Sequence, residues 1–208
     1  MWSNGGSEQR TVTWTIDKAA GHIVAPTAKT GLVYNGSAQT LVNAGSTKYG
    51  SVYYKVGSGS YSASLPKGTN AGTYTISYYS IGDANHYPTS AQSFTVTIAR
   101  QRTAYANGKS LTYNGSAQNG VDAANVTLSG TQSATVVGTY QFKATPTSNY
   151  AWSDGGTGEK TVTWYITKKA GSVTKAPTAK TLVYNGTDQQ LVNAGTTSTC
   201  FAVITPLN

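Results

Sequence analysis

The octapeptide Leu32-Val33-Tyr34-Asn35-Gly36-Ser37-Ala38-Gln39 recurs as Leu111-Thr112-Tyr113-Asn114-Gly115-Ser116-Ala117-Gln118, and again as Leu182-Val183-Tyr184-Asn185-Gly186-Thr187-Asp188-Gln189. Widely spaced self-similarity constrains a fold more than any composition, because it marks a chain built from repeated supersecondary units. Each copy reads as a strand running into an Asn-Gly turn and out again. Asn-Gly is a strong hairpin signal, since a type I′ turn demands positive φ at both central residues. Tyr34, Asn35 and Gly36, with Tyr113, Asn114 and Gly115 and with Tyr184, Asn185 and Gly186, are therefore expected to shape three β-hairpins.

Other stretches echo in the same rhythm. Residues 2–21 realign without a gap onto residues 152–171, so the opening reads as the tail of a repeat. Within it Val12, Trp14 and Ile16 alternate with Thr11, Thr13 and Thr15, the period of a strand buried on one face. Trp14 and Trp164 fall at equivalent inward positions and are expected in the core. Trp2 and Trp152, beside Gly-rich turns, are left open. The alternation in Gly72-Thr73-Tyr74-Thr75-Ile76-Ser77-Tyr78-Tyr79 places Tyr74 and Tyr78 inward and Tyr79 outward. Val52-Tyr53-Tyr54-Lys55-Val56 likewise turns Tyr54 inward and Tyr53 outward. Gly138-Thr139-Tyr140 is the later counterpart of Gly72-Thr73-Tyr74. Four segments result: residues 1–18, the closing part of an incomplete repeat; 19–99, a complete long repeat; 100–170, a complete short repeat; and 171–208, the start of a further repeat plus a tail from Cys200 that matches nothing upstream.

Composition agrees with strands and turns. Charged residues make up only 11%, while the chain carries 23 Gly and 15 Tyr. Nothing approaches 18 consecutive apolar residues, so no membrane span is expected. The net charge of +8 is spread thinly, with Arg100/Arg102 and Lys168/Lys169 the only close pairs. A diffuse positive field suits a solvated surface and specifies no nucleic acid. One cysteine cannot form an internal disulfide.

These motifs together resemble the tandem immunoglobulin-like repeats of large bacterial cell-surface proteins of the adhesin type. They are Pro26-Thr27-Ala28-Lys29-Thr30 leading into Leu-Val-Tyr-Asn-Gly, Asn70-Ala71-Gly72-Thr73-Tyr74, Gly82-Asp83-Ala84-Asn85, and Trp152-Ser153-Asp154-Gly155 with Thr161-Val162-Thr163-Trp164. The likeness covers roughly residues 2–198. It implies an all-β chain of tandem immunoglobulin-like β-sandwich repeats, elongated, extracellular and serving as a structural spacer. Tyr74 and Tyr140 also resemble the tyrosine corner of such sandwiches, where the hydroxyl bonds back to nearby backbone. The sequence shows no leader or sorting signal of the kind the family implies.

Chemistry for catalysis is sparse. His22 and His86 have no repeated partner, seven carboxylates are scattered, and no nucleophile elbow, phosphate loop or zinc-binding helix occurs. No enzyme, cofactor or metal is expected. Asp83 with Asn85, and Asp154, offer one carboxylate per loop against the several that calcium wants, and side chains bonding their own turns explain them. Sequons at Asn35, Asn114 and Asn185 coincide with the Asn-Gly turn; a fourth lies at Asn125. Outward Tyr53 and Tyr79 are the candidate ligand contacts, for a cell-surface glycan or protein, against cross-strand pairing that stiffens a sheet. The alternative functions are thus a carbohydrate- or surface-ligand-binding module and an immunoglobulin-like domain of a phage particle. Neighbouring repeats are the expected partners, together with weak head-to-tail self-association through the incomplete terminal repeats.

Overall fold

The computed structural model describes residue 9 and residues 11–198; Trp2, Cys200 and the rest of the divergent tail lie outside them. Among the described residues every regular element is a strand, distributed over several sheets. The chain is all-β. The β-branched and aromatic alternation explains this, since such side chains pack on a pleated, half-buried surface and Gly and Asn break every run.

Two compact units emerge. The first takes the chain up to Tyr105 together with Ala123–Thr127 and Thr145–Glu159. It opens with β1 (Thr27–Ala28), β2 (Gln39–Thr40) and β3 (Val42–Asn43), followed by β4 (Val52–Val56), β5 (Lys67–Gly68), β6 (Gly72–Ser80) and β7 (Gln92–Ile98). β1 pairs antiparallel with β3, and β2 with β5. β4, β6 and β7 form an antiparallel sheet with β6 central. Their inward positions, Tyr54, Ile76, Tyr78, Val96 and Ile98, close on Leu41 and Val42 to make the core. At roughly 1.5–3 kcal/mol for each large side chain removed from water, this cluster dominates the unit's stability. One buried hydroxyl interrupts it. Ser80 is fully buried, and its Oγ donates to the Tyr49 carbonyl at 3.0 Å and meets Thr47 Oγ1 at 3.1 Å, so its polarity is satisfied.

The second unit comprises Ala106–Asp122, Leu128–Ala144 and the chain from Lys160. Its strands, some shared with the first unit at their ends, are β8 (Tyr105–Gly108), β9 (Ser110–Thr112), β10 (Gln118–Asn119), β11 (Val121–Ala124), β12 (Val126–Gly130), β13 (Ser133–Ala134), β14 (Gly138–Pro146) and β15 (Lys160–Thr167). The larger sheet runs β12-β14-β15-β9, with β8 paired to β11 and β10 to β13. Trp164 is completely buried, stacks on Tyr140 with centroids 4.6 Å apart, and donates its indole N–H to the Thr131 carbonyl at 2.8 Å. Gly120 belongs to this arrangement by necessity, because a Cβ there would overlap the Trp164 ring. After Thr167 the chain forms two ribbons, β16 (Val173–Lys175) with β19 (Thr196–Thr197) and β17 (Thr178–Ala179) with β18 (Val192–Asn193).

Two expectations are corrected here. Trp14 is not core: it is 77% exposed, with Val12 and Ile16 beside it at 81% and 83%, and residues 11–18 belong to no strand. Its alternation is that of Trp164, but alternation needs an opposing sheet to become burial. The second correction concerns the Asn-Gly segments, which are not hairpins. Gly36, Gly115 and Gly186 take positive φ (79°, 84° and 78°) while the preceding Asn residues do not, so the two positive φ values of a type I′ turn are absent. The flanks do not pair with each other either. Leu32–Tyr34 runs parallel to the end of β7, whereas β2 on the far side of the turn pairs with β5. In its first two copies the motif is a corner that carries the chain from one sheet to another.

Candidate functional site

That corner is built the same way three times. Asn35 Oδ1 accepts from the Ser37 N–H at 3.0 Å, and Asn114 and Asn185 accept from Ser116 and Thr187 at 2.9 and 3.1 Å. Four residues after each Asn a glutamine reaches back. Gln39 donates to the Val33 carbonyl at 2.9 Å, Gln118 to Thr112 at 3.1 Å and Gln189 to Val183 at 2.9 Å. Side chain and backbone thus fix the exit angle of the strand before the corner, and glycine supplies the left-handed residue at no steric cost.

In both complete repeats of the sequence the fixed strand does one thing. It lies parallel to the end of the closing strand. In the first, Tyr34 N–H donates to Ala99 O at 2.9 Å and Ala99 N–H to Leu32 O at 2.8 Å, with Val33 opposite Ala99. In the second, β9 lies parallel to β15 with Leu111 opposite Ile166 and Thr112 opposite Thr167. Tyr113 N–H donates to Thr167 O at 2.9 Å, Tyr165 N–H to Lys109 O at 3.0 Å, and the Thr167 hydroxyl to Leu111 O at 3.0 Å. An early strand of each repeat is therefore clamped side by side, and in the same direction, to its last strand.

A second feature follows the first clamp. Immediately beyond Ala99, Arg100 Nε donates to Ser148 O at 2.9 Å, and Gln101 bridges in parallel with Tyr150. Asn149 then holds the Asn70–Ala71 turn with both ends of its amide. Its Oδ1 accepts from the Ala71 N–H at 2.8 Å and its Nδ2 donates to Asn70 Oδ1 at 3.2 Å. Tyr150 meets Tyr34 edge-to-face at 5.5 Å. All these residues lie within the first unit. Nothing in the sequence singled out Asn149; a lone polar residue in a loop carries no periodic signal.

The candidate ligand contacts do come together. Tyr53 and Tyr79 are direct cross-strand partners on the outer face of the β4–β6 pair, their rings 6.2 Å apart. Tyr61, which the sequence did not bring forward, sits edge-on to Tyr79 at 4.8 Å, and the Lys55 ammonium lies 4.9 Å from the Tyr61 centroid. All four side chains are half-buried. Each ring therefore spends part of its face on a neighbour, as cross-strand stiffening requires.

The remaining predicted residues are placed as follows. Tyr74 and Tyr140 each return their hydroxyl to backbone four residues upstream, to Asn70 O at 2.7 Å and Val136 O at 2.6 Å. Tyr184 is 92% exposed. Trp152 is buried and donates to Gly158 O at 2.8 Å. Asp83 Oδ1 accepts from the Asn85 N–H at 2.8 Å and lies 2.7 Å from His86 Nδ1, and these bonds, His86 first, hold its carboxyl below the ordinary carboxylate range. His86 in turn stacks flat on Tyr49 at 3.4 Å. Asp154 accepts from the Gly156 N–H at 2.7 Å. Both aspartates are thus turn-formers. A shallow cleft of about 400 Å³ beside Tyr54 is lined by small, hydroxyl and apolar residues such as Thr47, Ser51 and Leu65, a lining that offers hydrogen bonds but no acid–base pair. Among the described residues no three potential metal ligands cluster, and no helix is long and apolar enough to cross a membrane. Compared with known protein families, with curated proteins and with solved structures, the chain finds no match in any of the three.

Proposed function

We propose that the chain is a run of immunoglobulin-like β-sandwich repeats acting as a non-catalytic, tension-bearing spacer in a bacterial cell-surface protein. The parallel clamp carries this reading. When the two ends of a repeat are drawn apart, parallel strands near its ends slide along each other, so their hydrogen bonds are loaded in shear and must fail together. Antiparallel strands peeled from one end would fail one bond at a time. The early clamp strands, Leu32-Val33-Tyr34 and Leu111-Thr112-Tyr113, also lie within the octapeptide that recurs in the sequence. That is intelligible if resistance to extension is what each repeat contributes.

Resemblance alone supports the extracellular, bacterial setting. The carbohydrate-binding alternative has less support, because Tyr53, Tyr61 and Tyr79 pack on one another. The phage-particle alternative has no observation of its own.

Force spectroscopy on the Ala99→Pro variant tests the proposal. Proline removes the N–H that Ala99 donates to Leu32 and leaves the second repeat untouched. The unfolding force of one event should fall while the other stays. An unchanged pair of forces would sink the load-bearing reading. Glycan-array binding abolished by Tyr53→Ala would replace it with the binding-module reading.

A further inference from the structure

Both complete repeats of the sequence hold the residue that enters them in the same way. Ala19 lies parallel to His86, giving its N–H to Asn85 O and accepting from the Tyr87 N–H, both at 2.8 Å. Gln101 lies parallel to Tyr150, giving its N–H to Asn149 O and accepting from the Ala151 N–H, both at 3.0 Å. A cation stands one residue earlier in each linker. Lys18 Nζ donates to Asp83 O at 3.2 Å, and Arg100 Nε to Ser148 O at 2.9 Å. The loop between the two long strands, β6 and β7 in one repeat and β14 and β15 in the other, is thus a latch for the incoming chain. The central residue of each latch seats its ring on a tyrosine, His86 on Tyr49 and Tyr150 on Tyr34.

The two latches differ in one chemical respect. A tyrosine ring stays neutral near pH 7, whereas a histidine changes charge between about pH 5 and 8. His86 is set where that charge counts. Its ring lies flat on Tyr49, centroids 3.4 Å apart, and its Nδ1 is 2.7 Å from Asp83 Oδ1. Only 20% of its side chain is exposed. The carboxylate accepts, so Nδ1 carries a proton. A second proton on the ring turns this hydrogen bond into an ion pair and the stack into a cation–π contact. The backbone passes the effect on. The His86 carbonyl accepts from the Asp83 N–H at 3.3 Å and packs so closely on Gly82 that a Cβ there would overlap it. Both bonds to Ala19 come from the residues on either side of His86.

We propose that this loop is a pH-sensitive latch on the linker entering the first complete repeat: protonated His86 fastens Ala19, neutral His86 slackens it, and the Gln101 latch does not respond. The titratable groups around His86 are Asp83 and Tyr87 on its own loop, Tyr49 beneath it and Lys18 from the linker. Of these, only Asp83 supplies an opposite charge. Its carboxyl is held below the ordinary carboxylate range, by the His86 bond first, so its share of the stabilisation is lost only as the pH falls through that lowered value. In the other direction, the ion pair is lost as the pH rises and His86 gives up its proton. The latch is therefore tightest between these limits, on the acid side of neutrality, whether or not the chain bears load.

Amide hydrogen exchange of the whole chain, corrected for the intrinsic pH dependence of exchange, reads each latch separately. Protection of the Ala19 and Tyr87 amides should be about fivefold greater near pH ~5.5 than near pH ~7.5, the combined effect of one exposed ion pair and one cation–π contact. Protection at Gln101 and Ala151 should not change with it. The midpoint of the change should coincide with the titration of the His86 ring protons followed by NMR. His86→Phe keeps a ring on Tyr49 and should abolish the pH dependence at Ala19 while leaving the Gln101 latch intact. Asp83→Asn keeps an acceptor for the Asn85 N–H without the charge, and should reduce the difference to about twofold. Equal protection of Ala19 at the two pH values, or an equal change at Gln101 and Ala151, would overturn the proposal. So would a pH dependence that survives His86→Phe, which would then belong to His22.

Discussion

Trp14 and Trp164 occupy the same position in the same heptapeptide pattern, and their environments could hardly differ more. Trp164 is fully buried with its indole bonded, so Trp164→Ala should cost about 3–5 kcal/mol through the lost transfer energy and the cavity left behind. Trp14→Ala, at 77% exposure, should change the unfolding free energy of the dilute monomer by less than about 0.5 kcal/mol. Denaturant titration of both variants checks the contrast. Alternation in a strand states which residues share a face, and that much was legible for Tyr54, Tyr78 and Trp164. Whether a second sheet covers the face depends on the rest of the repeat, which no local pattern encodes. Tyr74 and Tyr140 were legible for another reason: they resemble a tyrosine corner, in which the hydroxyl bonds to backbone of near neighbours. Tyr74→Phe should therefore cost about 1 kcal/mol by losing the bond to Asn70 O.

At the scale of elements, the Asn-Gly corner shows how a sound local signal leads to the wrong pairing. Asn-Gly does mark a turn, and Gly36 does need positive φ. A Cβ at Gly36 would meet nothing within 4 Å, so Gly36→Ala should cost about 1–2 kcal/mol from backbone strain alone. What the dipeptide cannot reveal is which strands its flanks join. The glutamine four residues after each Asn was the available hint, since its recurrence at a fixed offset implies a side chain closing the loop. Gln39→Ala should loosen the first clamp, and hydrogen exchange of the Tyr34 and Ala99 amides should quicken while that of Tyr113 does not. The Asn149 amide grip was illegible, because it joins residues far apart in the chain. Asn149→Asp should keep the Ala71 N–H bonded while losing the donation to Asn70. Its destabilisation should thus be smaller than that of Asn149→Ala, by roughly 1 kcal/mol.

Across the whole molecule, repetition in the sequence becomes repetition in what each of the two complete repeats does with an early strand and its last one. The two sequence repeats differ in length and in their outer faces, with the Tyr53–Tyr79 pair present only in the longer one. Both nevertheless end in a parallel clamp with the corner behind it. The same clamp in two otherwise divergent repeats of one chain is the observation on which the proposed mechanical role rests. Stretching single molecules by their two ends is the most direct check. The account expects two separate rupture events at high force. Each should lengthen the chain by roughly 20–24 nm, the extended length of the residues held behind Leu32–Ala99 and Leu111–Thr167 at ~3.5 Å per residue. A smooth extension without rupture peaks, or peaks whose lengths match neither clamp, would contradict it.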